Sequence, residues 1–158
     1  MTYTTHSWIR DGHHLNSTHW QQWKAQRPPL DIYLQHVLLG ICLGDAHVFR
    51  TSTHAAIKFE QGALQKDFVY HLFTLLQNWR WITHLGIRYT SCGTIKSYWF
   101  KTFSHSEFTP YYISLYPNGC TSRCVPVTCL QRIGLSPIVL AYWMICDGSL
   151  HRDGRTLT

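Results

Sequence analysis

Two aspartates stand at matching positions in two similar apolar stretches of the chain. Asp45 lies near the end of residues 38–46, LLGICLGDA, and Asp147 lies near the end of residues 140–148, LAYWMICDG. Two adjacent carboxylates repel each other unless a cation separates them, and hard oxygen ligands suit Mg²⁺. Metal ions held by paired carboxylates often hydrolyse phosphodiesters. If the two stretches meet, we expect Asp45 and Asp147 to form a Mg²⁺ site.

Each stretch is too short to span a membrane, which takes about 20 residues. Its apolar character instead predicts a buried helix with the aspartate at one end. Gly40 and Gly44 lie on one face of the first helix and allow a close backbone approach. In the second helix, Ala141 offers the corresponding small residue. Helices that cross there would bring the two aspartates together. Either stretch alone is also compatible with an ordinary core helix.

The charge balance favours a polyanionic partner. The chain has 158 residues, a formal net charge of +6 and only eight acidic residues. Nucleic acid is favoured over membrane, since no polybasic run flanks an apolar anchor. The cysteines at 120, 124 and 129 lack a CxxC pair, which favours reduced structural thiols over a zinc site.

Hydrophobic periodicity predicts an α+β fold in the order helix, two strands, helix, two strands, helix. Helical spacing is found near 32–44, over 64–79 and from Pro137 onward, and period-two patterns in 55–60, 87–91 and 94–103 predict strands. Asp31 and Ser136 are expected to cap the first and last helices, and Thr109 a short helix between them.

Both apolar stretches resemble the nine-residue motif of the LAGLIDADG homing endonucleases, and the second is the closer copy. Residues 135–149, LSPIVLAYWMICDGS, resemble the second motif of the two-motif, single-chain branch of this family, which is common in fungal and algal organelle introns. Residues 100–104, FKTFS, and residues 116–119, YPNG, are similar to the same branch. The resemblance covers about residues 30 to 158.

The resemblance implies the LAGLIDADG homing-endonuclease fold. One αββαββα half would carry a four-stranded antiparallel sheet, which forms a saddle in the major groove of DNA. We expect a polar, partly ordered arm over 1–30 and the first half-domain over 31–134. Residues 135–158 would hold the second motif helix and the start of a truncated second half, the rest of which would be missing or supplied by a second chain.

The implied activity is site-specific cleavage of double-stranded DNA during intron homing. Asp45 and Asp147 would be the catalytic, Mg²⁺-binding carboxylates, one for each DNA strand. The relatives place a lysine before a hydrophobe–proline pair, and here Arg123 precedes the sequence CVP at 124–126. An arginine stays protonated, so Arg123 would stabilise charge without acting as a base. A simple phosphate contact or a surface charge is the alternative role for Arg123.

DNA contacts are expected from a polar face of the sheet. A strand face rich in Lys, Arg, Gln and Tyr suits a groove, where some side chains read base edges and others hold phosphates. The expected DNA-binding residues are Lys58, Gln61, Arg88, Lys96, Tyr98 and Lys101. Each residue alone is also compatible with an ordinary solvated position.

Two other functions are compatible with the same features. One is an RNA-binding intron maturase, since basic charge and exposed aromatic side chains also suit RNA. The other is an inactive fragment of an endonuclease. The expected partners are duplex DNA with a long recognition site, intron RNA for a maturase, and a second chain for a completed enzyme. The resemblance implies a mitochondrial location, with the chloroplast as the alternative.

Overall fold

A computed structural model describes residues 17–78 and 81–147, without the side chain of Thr83. The helices are α1 (Thr18–Ala25), α2 (Ile32–Leu43), α3 (Lys66–Asn78), α4 (Thr109–Leu115), α5 (Val127–Ile133) and α6 (Pro137–Asp147). The strands are β1 (His47–Arg50), β2 (Ala55–Gly62), β3 (Ile82–Tyr89) and β4 (Ile95–Thr102). Within these ranges, none of the helices has the length and apolar character that crossing a bilayer requires. The expected segments before residue 17 and after Asp147 lie outside the described residues.

The four strands form one antiparallel sheet in the order β1-β2-β4-β3, which confirms the predicted α+β fold. Side chains alternate between its two faces. Phe59 pairs with Phe100 and both are fully buried, whereas the neighbouring Lys58 pairs with Lys101 on the other face. One face therefore packs against the helices to form the core, and the opposite face stays open.

The two motif helices begin where the sequence predicts. The Asp31 side chain caps α2 by accepting a hydrogen bond of 2.7 Å from the Leu34 amide. The Ser136 hydroxyl accepts one of 3.3 Å from the Val139 amide at the start of α6. Ser136 also lies 2.8 Å from Nδ1 of His36, so the first turn of α6 is tied to α2.

The two motif helices cross at the predicted glycines. A Cβ built on Gly40 would lie 2.7 Å from the Val139 carbonyl oxygen, and a Cβ on Gly44 would collide with Cβ of Cys146. Positions 139, 142 and 146 recur at helical spacing and so form the face of α6 that meets α2. Ala141 lies off this face and is exposed, so its expected place in the helix contact is wrong.

Helix α1 was not predicted and occupies the last part of the expected arm. Trp20 and Trp23 stack with their ring centroids 4.9 Å apart, and both meet the edge of Phe103. Nε2 of the buried His105 donates a 2.9 Å hydrogen bond to the Lys24 carbonyl. The helix is only weakly amphipathic and docks on residues about 80 positions away, so its local sequence gave little signal.

Four other elements differ from the sequence-based expectation. The short β1 and α5 were not located, and β3 begins at Ile82, five residues earlier than predicted. The early part of β3 contains Gly86, and a glycine interrupts the period-two pattern in the sequence. The structure requires glycine here because the Trp99 ring occupies the space that a side chain would need. Thr109 is the first residue of α4 rather than its cap, and its hydroxyl accepts from the Ala55 amide of β2.

We expect Gly40→Ala to lower the free energy of unfolding by about 1–3 kcal/mol in urea titrations, because the new methyl group would press on the α6 backbone. This loss should outweigh the gain of about 1 kcal/mol that alanine offers in a helix. Gly62→Ala is the matched control, since a Cβ there meets nothing within 4 Å. Equal stability of the two variants would contradict the close helix contact.

The folded protein is expected to lose stability in acid through the buried His105. Burial lowers the pKa of His105 below its ordinary value, although its hydrogen bond to Lys24 and the charge of Glu107 oppose this. As pH falls below about 6.5, the unfolded chain therefore takes up this proton more readily than the folded chain, and stability decreases. His54 and Lys24 contribute further positive charge near the ring and act in the same direction.

The measurement is the unfolding free energy from pH 8 to pH 5 for the wild type and His105→Asn. The stability advantage of the wild type over the variant should shrink as pH falls. His47→Asn, which removes an exposed imidazole instead, is measured in the same series as the control for losing a histidine. If the difference in unfolding free energy between the wild type and His105→Asn stays constant or grows in acid, this pH dependence is ruled out.

Candidate active site

Asp45 lies two residues after the end of the first motif helix, beyond its C-cap Gly44, and is exposed. The Ala46 amide donates to the Ile41 carbonyl at 2.9 Å and holds the turn in which Asp45 sits. Nε2 of Gln61, at the end of β2, donates a hydrogen bond to Oδ2 of Asp45. The structure therefore places Gln61, expected among the DNA contacts, against the motif carboxylate.

Asp147 is exposed at the end of α6. Nε1 of Trp143 donates a 3.0 Å hydrogen bond to its Oδ2. Its Oδ1 would lie 3.6 Å from a Cβ built on Gly44, the residue before Asp45. The crossing of α2 and α6 thus brings the two aspartates to the same end of the helix pair.

The pKa of the Cys146 thiol is influenced by the charged groups at the end of α2 and α6 where the two aspartates lie. The pKa of Cys146 is raised to about 11, chiefly by burial and also by the Asp45 and Asp147 carboxylates. An Asp45 backbone N–H and the Arg123 guanidinium act in the opposite direction. Cys146 is therefore a neutral thiol at physiological pH, and both carboxylates and Arg123 lie close enough to influence it.

Arg123 belongs to the loop between α4 and α5. The Cys124 amide donates to the Leu115 carbonyl at 2.7 Å and anchors this loop. Arg123 is exposed and lines a largely apolar cavity of about 360 Å³ together with Cys42 and Trp143. It makes no ion pair with any carboxylate of residues 17–78 and 81–147, so its charge is available to an anionic ligand.

The motif aspartates have the donor chemistry that Mg²⁺ requires. Among the described residues, no three His, Cys, Asp or Glu side chains are grouped so as to enclose a metal ion. Mg²⁺ is commonly held by only one or two carboxylates, with water and substrate phosphates completing its shell. Asp45 and Asp147 therefore fit an ion that is shared with a phosphate group.

The sheet face turned away from the helices forms a second feature, which we call the open face. It comprises His47, Phe49, Lys58, Glu60, His84, Arg88, Ser97, Trp99 and Lys101. Three of the expected DNA-binding residues, Lys58, Arg88 and Lys101, lie on it. The Lys58 ammonium lies 5.9 Å from the Trp99 ring, and that of Lys101 lies 5.9 Å from the Phe49 ring. Cations beside aromatic rings give the open face a character suited to nucleic acid.

Tyr98 and Lys96 lie on the opposite face from these residues. Tyr98 is 6% exposed and packs edge-on against Tyr70 of α3, so the expected DNA contact by Tyr98 is wrong. Lys96 shares this helix-side register but is exposed near the start of β4. The alternation in β4 was correctly predicted, but local sequence did not indicate which of its two faces the helices would cover.

Comparisons with known proteins agree with this architecture. Residues 35–158 match the model of the LAGLIDADG DNA endonuclease family. A 69-residue segment is 48% identical to "Probable intron-encoded DNA endonuclease 3" of Mycosarcoma maydis, covering 42% of this chain and 49% of that protein. The match thus spans about half the length of that relative.

Similarity also extends to a solved structure. The fold is similar to that of the homing endonuclease I-WcaI bound to its DNA recognition sequence, with a TM-score of 0.70. The identity is 21%, and the alignment covers 96% of this chain and 67% of the other. With the family match extending over residues 35–158, the chain belongs to the LAGLIDADG DNA endonuclease family.

Proposed function

We propose that this chain is, or forms part of, a site-specific endonuclease that hydrolyses double-stranded DNA during intron homing. The observation that carries the proposal is that Asp45 and Asp147 lie at the same end of the α2–α6 pair. Family membership and the basic open face support it. The enzyme would act in mitochondria, with chloroplasts as the alternative, because the curated relative is named as intron-encoded.

In this proposal, Asp45 and Asp147 hold Mg²⁺, and each aspartate serves one DNA strand. The bound metal would supply Lewis-acid polarisation of the phosphate and a more acidic water. The amide of Gln61 fixes the orientation of the Asp45 carboxylate, and the Trp143 indole fixes that of Asp147. Both carboxylates are thereby oriented before the DNA arrives, which limits reorganisation during the reaction.

Arg123 would stabilise the negative charge that develops on the phosphate. It carries a permanent charge at the same end of the helix pair as the carboxylates. It cannot accept a proton from water, so we assign it an electrostatic role only. The open face would lie in the major groove, where Lys58, Arg88 and Lys101 contact phosphates and base edges over a long site. A second chain would complete the enzyme if further contacts are required.

Binding of intron RNA is the second candidate function. The specific observation in its favour is that Phe49 and Trp99 lie on the open face beside lysines. Exposed aromatic rings stack on unpaired bases, which are the usual targets of sequence-specific RNA recognition. In that case the chain would act as a maturase and the aspartates would have no catalytic role.

Asp45→Asn and Asp147→Asn should each reduce Mg²⁺-dependent nicking of a plasmid that carries the intronless insertion site. We expect each variant to lose more than about 100-fold in rate. Loss of a residue that only supports a metal ligand costs up to about 100-fold, and loss of the ligand itself should cost more. Asp67→Asn, which removes an exposed carboxylate on α3, is the matched control and should cut normally. If the wild type binds intron RNA but neither binds nor cuts the duplex, the maturase function is supported instead.

Gln61→Leu separates a positioning role from a DNA contact. If Gln61 orients Asp45, the variant should cut about 10- to 100-fold more slowly while binding the same duplex with little change. The binding titration is made in Ca²⁺ and the cutting assay in Mg²⁺. Lys101→Gln is the control in both assays and should weaken binding. If the variant binds the duplex more weakly but the bound enzyme cuts at the wild-type rate, Gln61 acts as a DNA contact instead.

A further inference from the structure

Glu60 is an acidic residue near the middle of an otherwise basic surface. It lies on β2, one of the two central strands, and its side chain is 27% exposed on the open face. The neighbouring charged members of that face are Lys58, Arg88 and Lys101. An acid at this place repels DNA phosphates, so the need for affinity alone does not explain it.

Two side chains, Lys58 and Ser97, donate hydrogen bonds to the Glu60 carboxylate, and Arg88 forms an ion pair with it. Lys58 Nζ lies 2.5 Å from Oε2, Arg88 Nε lies 2.9 Å from Oε1, and the Ser97 hydroxyl lies 2.6 Å from Oε1. Partial burial acts to raise the pKa of Glu60, but these hydrogen bonds and the two positive charges outweigh it, so the pKa is lowered. Glu60 is therefore a stable anion that fixes residues on β2, β3 and β4.

Stability of the fold is a weak reason for this arrangement. The side chains of Lys58 and Arg88 are 29% and 52% exposed, and ion pairs at such sites contribute little to stability. The larger effect is on the freedom of the two cations. Lys and Arg side chains lose considerable rotamer entropy when they bind DNA, and a partner that already holds them removes part of that cost.

The ion pair with Glu60 leaves the terminal nitrogen atoms of Arg88 available to a ligand. Its Nε is the atom that lies in the ion pair with Glu60, and within the described part of the chain its guanidinium has no second ion-pair partner and makes no hydrogen bond. The two terminal Nη groups thus remain as a fork on an exposed side chain. Such a fork matches O6 and N7 of guanine in the major groove.

We propose that Glu60 is a specificity-determining residue, which orients Arg88 to read a guanine and prevents Arg88 and Lys58 from acting as unselective phosphate contacts. The proposal rests on the proposed function, because it requires the open face to lie in the major groove. Glu60 is a positioning residue here, and Arg88 makes the base contact. The face thus gives up some affinity to gain discrimination between sequences.

The test selects bound duplexes from a random-sequence library with the wild type, Glu60→Gln and Arg88→Lys, and sequences them. Binding of one fixed duplex of unselected sequence is then titrated at 50 and 200 mM KCl. Glutamine keeps the shape of Glu60 and can still accept from Ser97. Lysine keeps the charge of Arg88 but lacks the fork. Lys101→Gln is the matched control, since it removes a cation of the open face that is not bound to Glu60.

Both Glu60→Gln and Arg88→Lys should lose the same guanine from the selected sequence. Only Glu60→Gln should bind the unselected duplex more tightly, and its ratio of affinities at the two salt concentrations should exceed that of the wild type by about threefold, as for one added phosphate contact. Lys101→Gln should weaken binding uniformly and keep the guanine. Urea titrations of each variant verify that it is folded.

A selected sequence that is unchanged by Glu60→Gln would overturn the proposal while leaving DNA recognition intact. Loss of preference at every position, with no gain on the unselected duplex, would also overturn it, since that result indicates a damaged sheet. If the wild type itself enriches no sequence, the proposed endonuclease function fails, and this proposal fails with it.

Discussion

The close approach of α6 to α2 is the contact on which the candidate site depends. The Val139 carbonyl occupies the space that a side chain at Gly40 would need, so only glycine permits this separation. The contact lies in the apolar core, where packing is dense and strain is not easily relieved. It forces Asp45 and Asp147 to the same end although like charges repel each other. Apolar packing, rather than attraction between charged groups, therefore builds the candidate site.

Strand β2 connects this end of the helices to the open face. Gln61 and Glu60 are neighbours in sequence and point to opposite faces, as the pleat of a strand requires. Gln61 donates to Asp45, whereas Glu60 holds Lys58 and Arg88. A small shift of β2 would thus alter both the orientation of the Asp45 carboxylate and the open face, which we propose contacts DNA.

Helix α1 extends the structure beyond the core of the sheet and helices. Its tryptophans cover Phe103, and the carbonyl of Lys24 accepts from the buried His105. Glu107 lies near the same ring and its side chain accepts from the Leu30 amide, so the connection to α2 is also held here. These contacts fasten the segment before α2 to the residues that follow β4.

The sequence by itself determined the motif helices, their caps, the aspartates and the alternation of helices with pairs of strands between the two motifs. Each of these depends on a short pattern, such as apolar spacing, a capping side chain or period-two alternation. Only the tertiary structure decided that Tyr98 faces the helices, that Gln61 reaches Asp45 and that Ala141 lies outside the helix contact. Alternation separates two faces but does not say which one a distant helix will cover. That choice is made by packing between residues far apart in the chain, which no local pattern encodes.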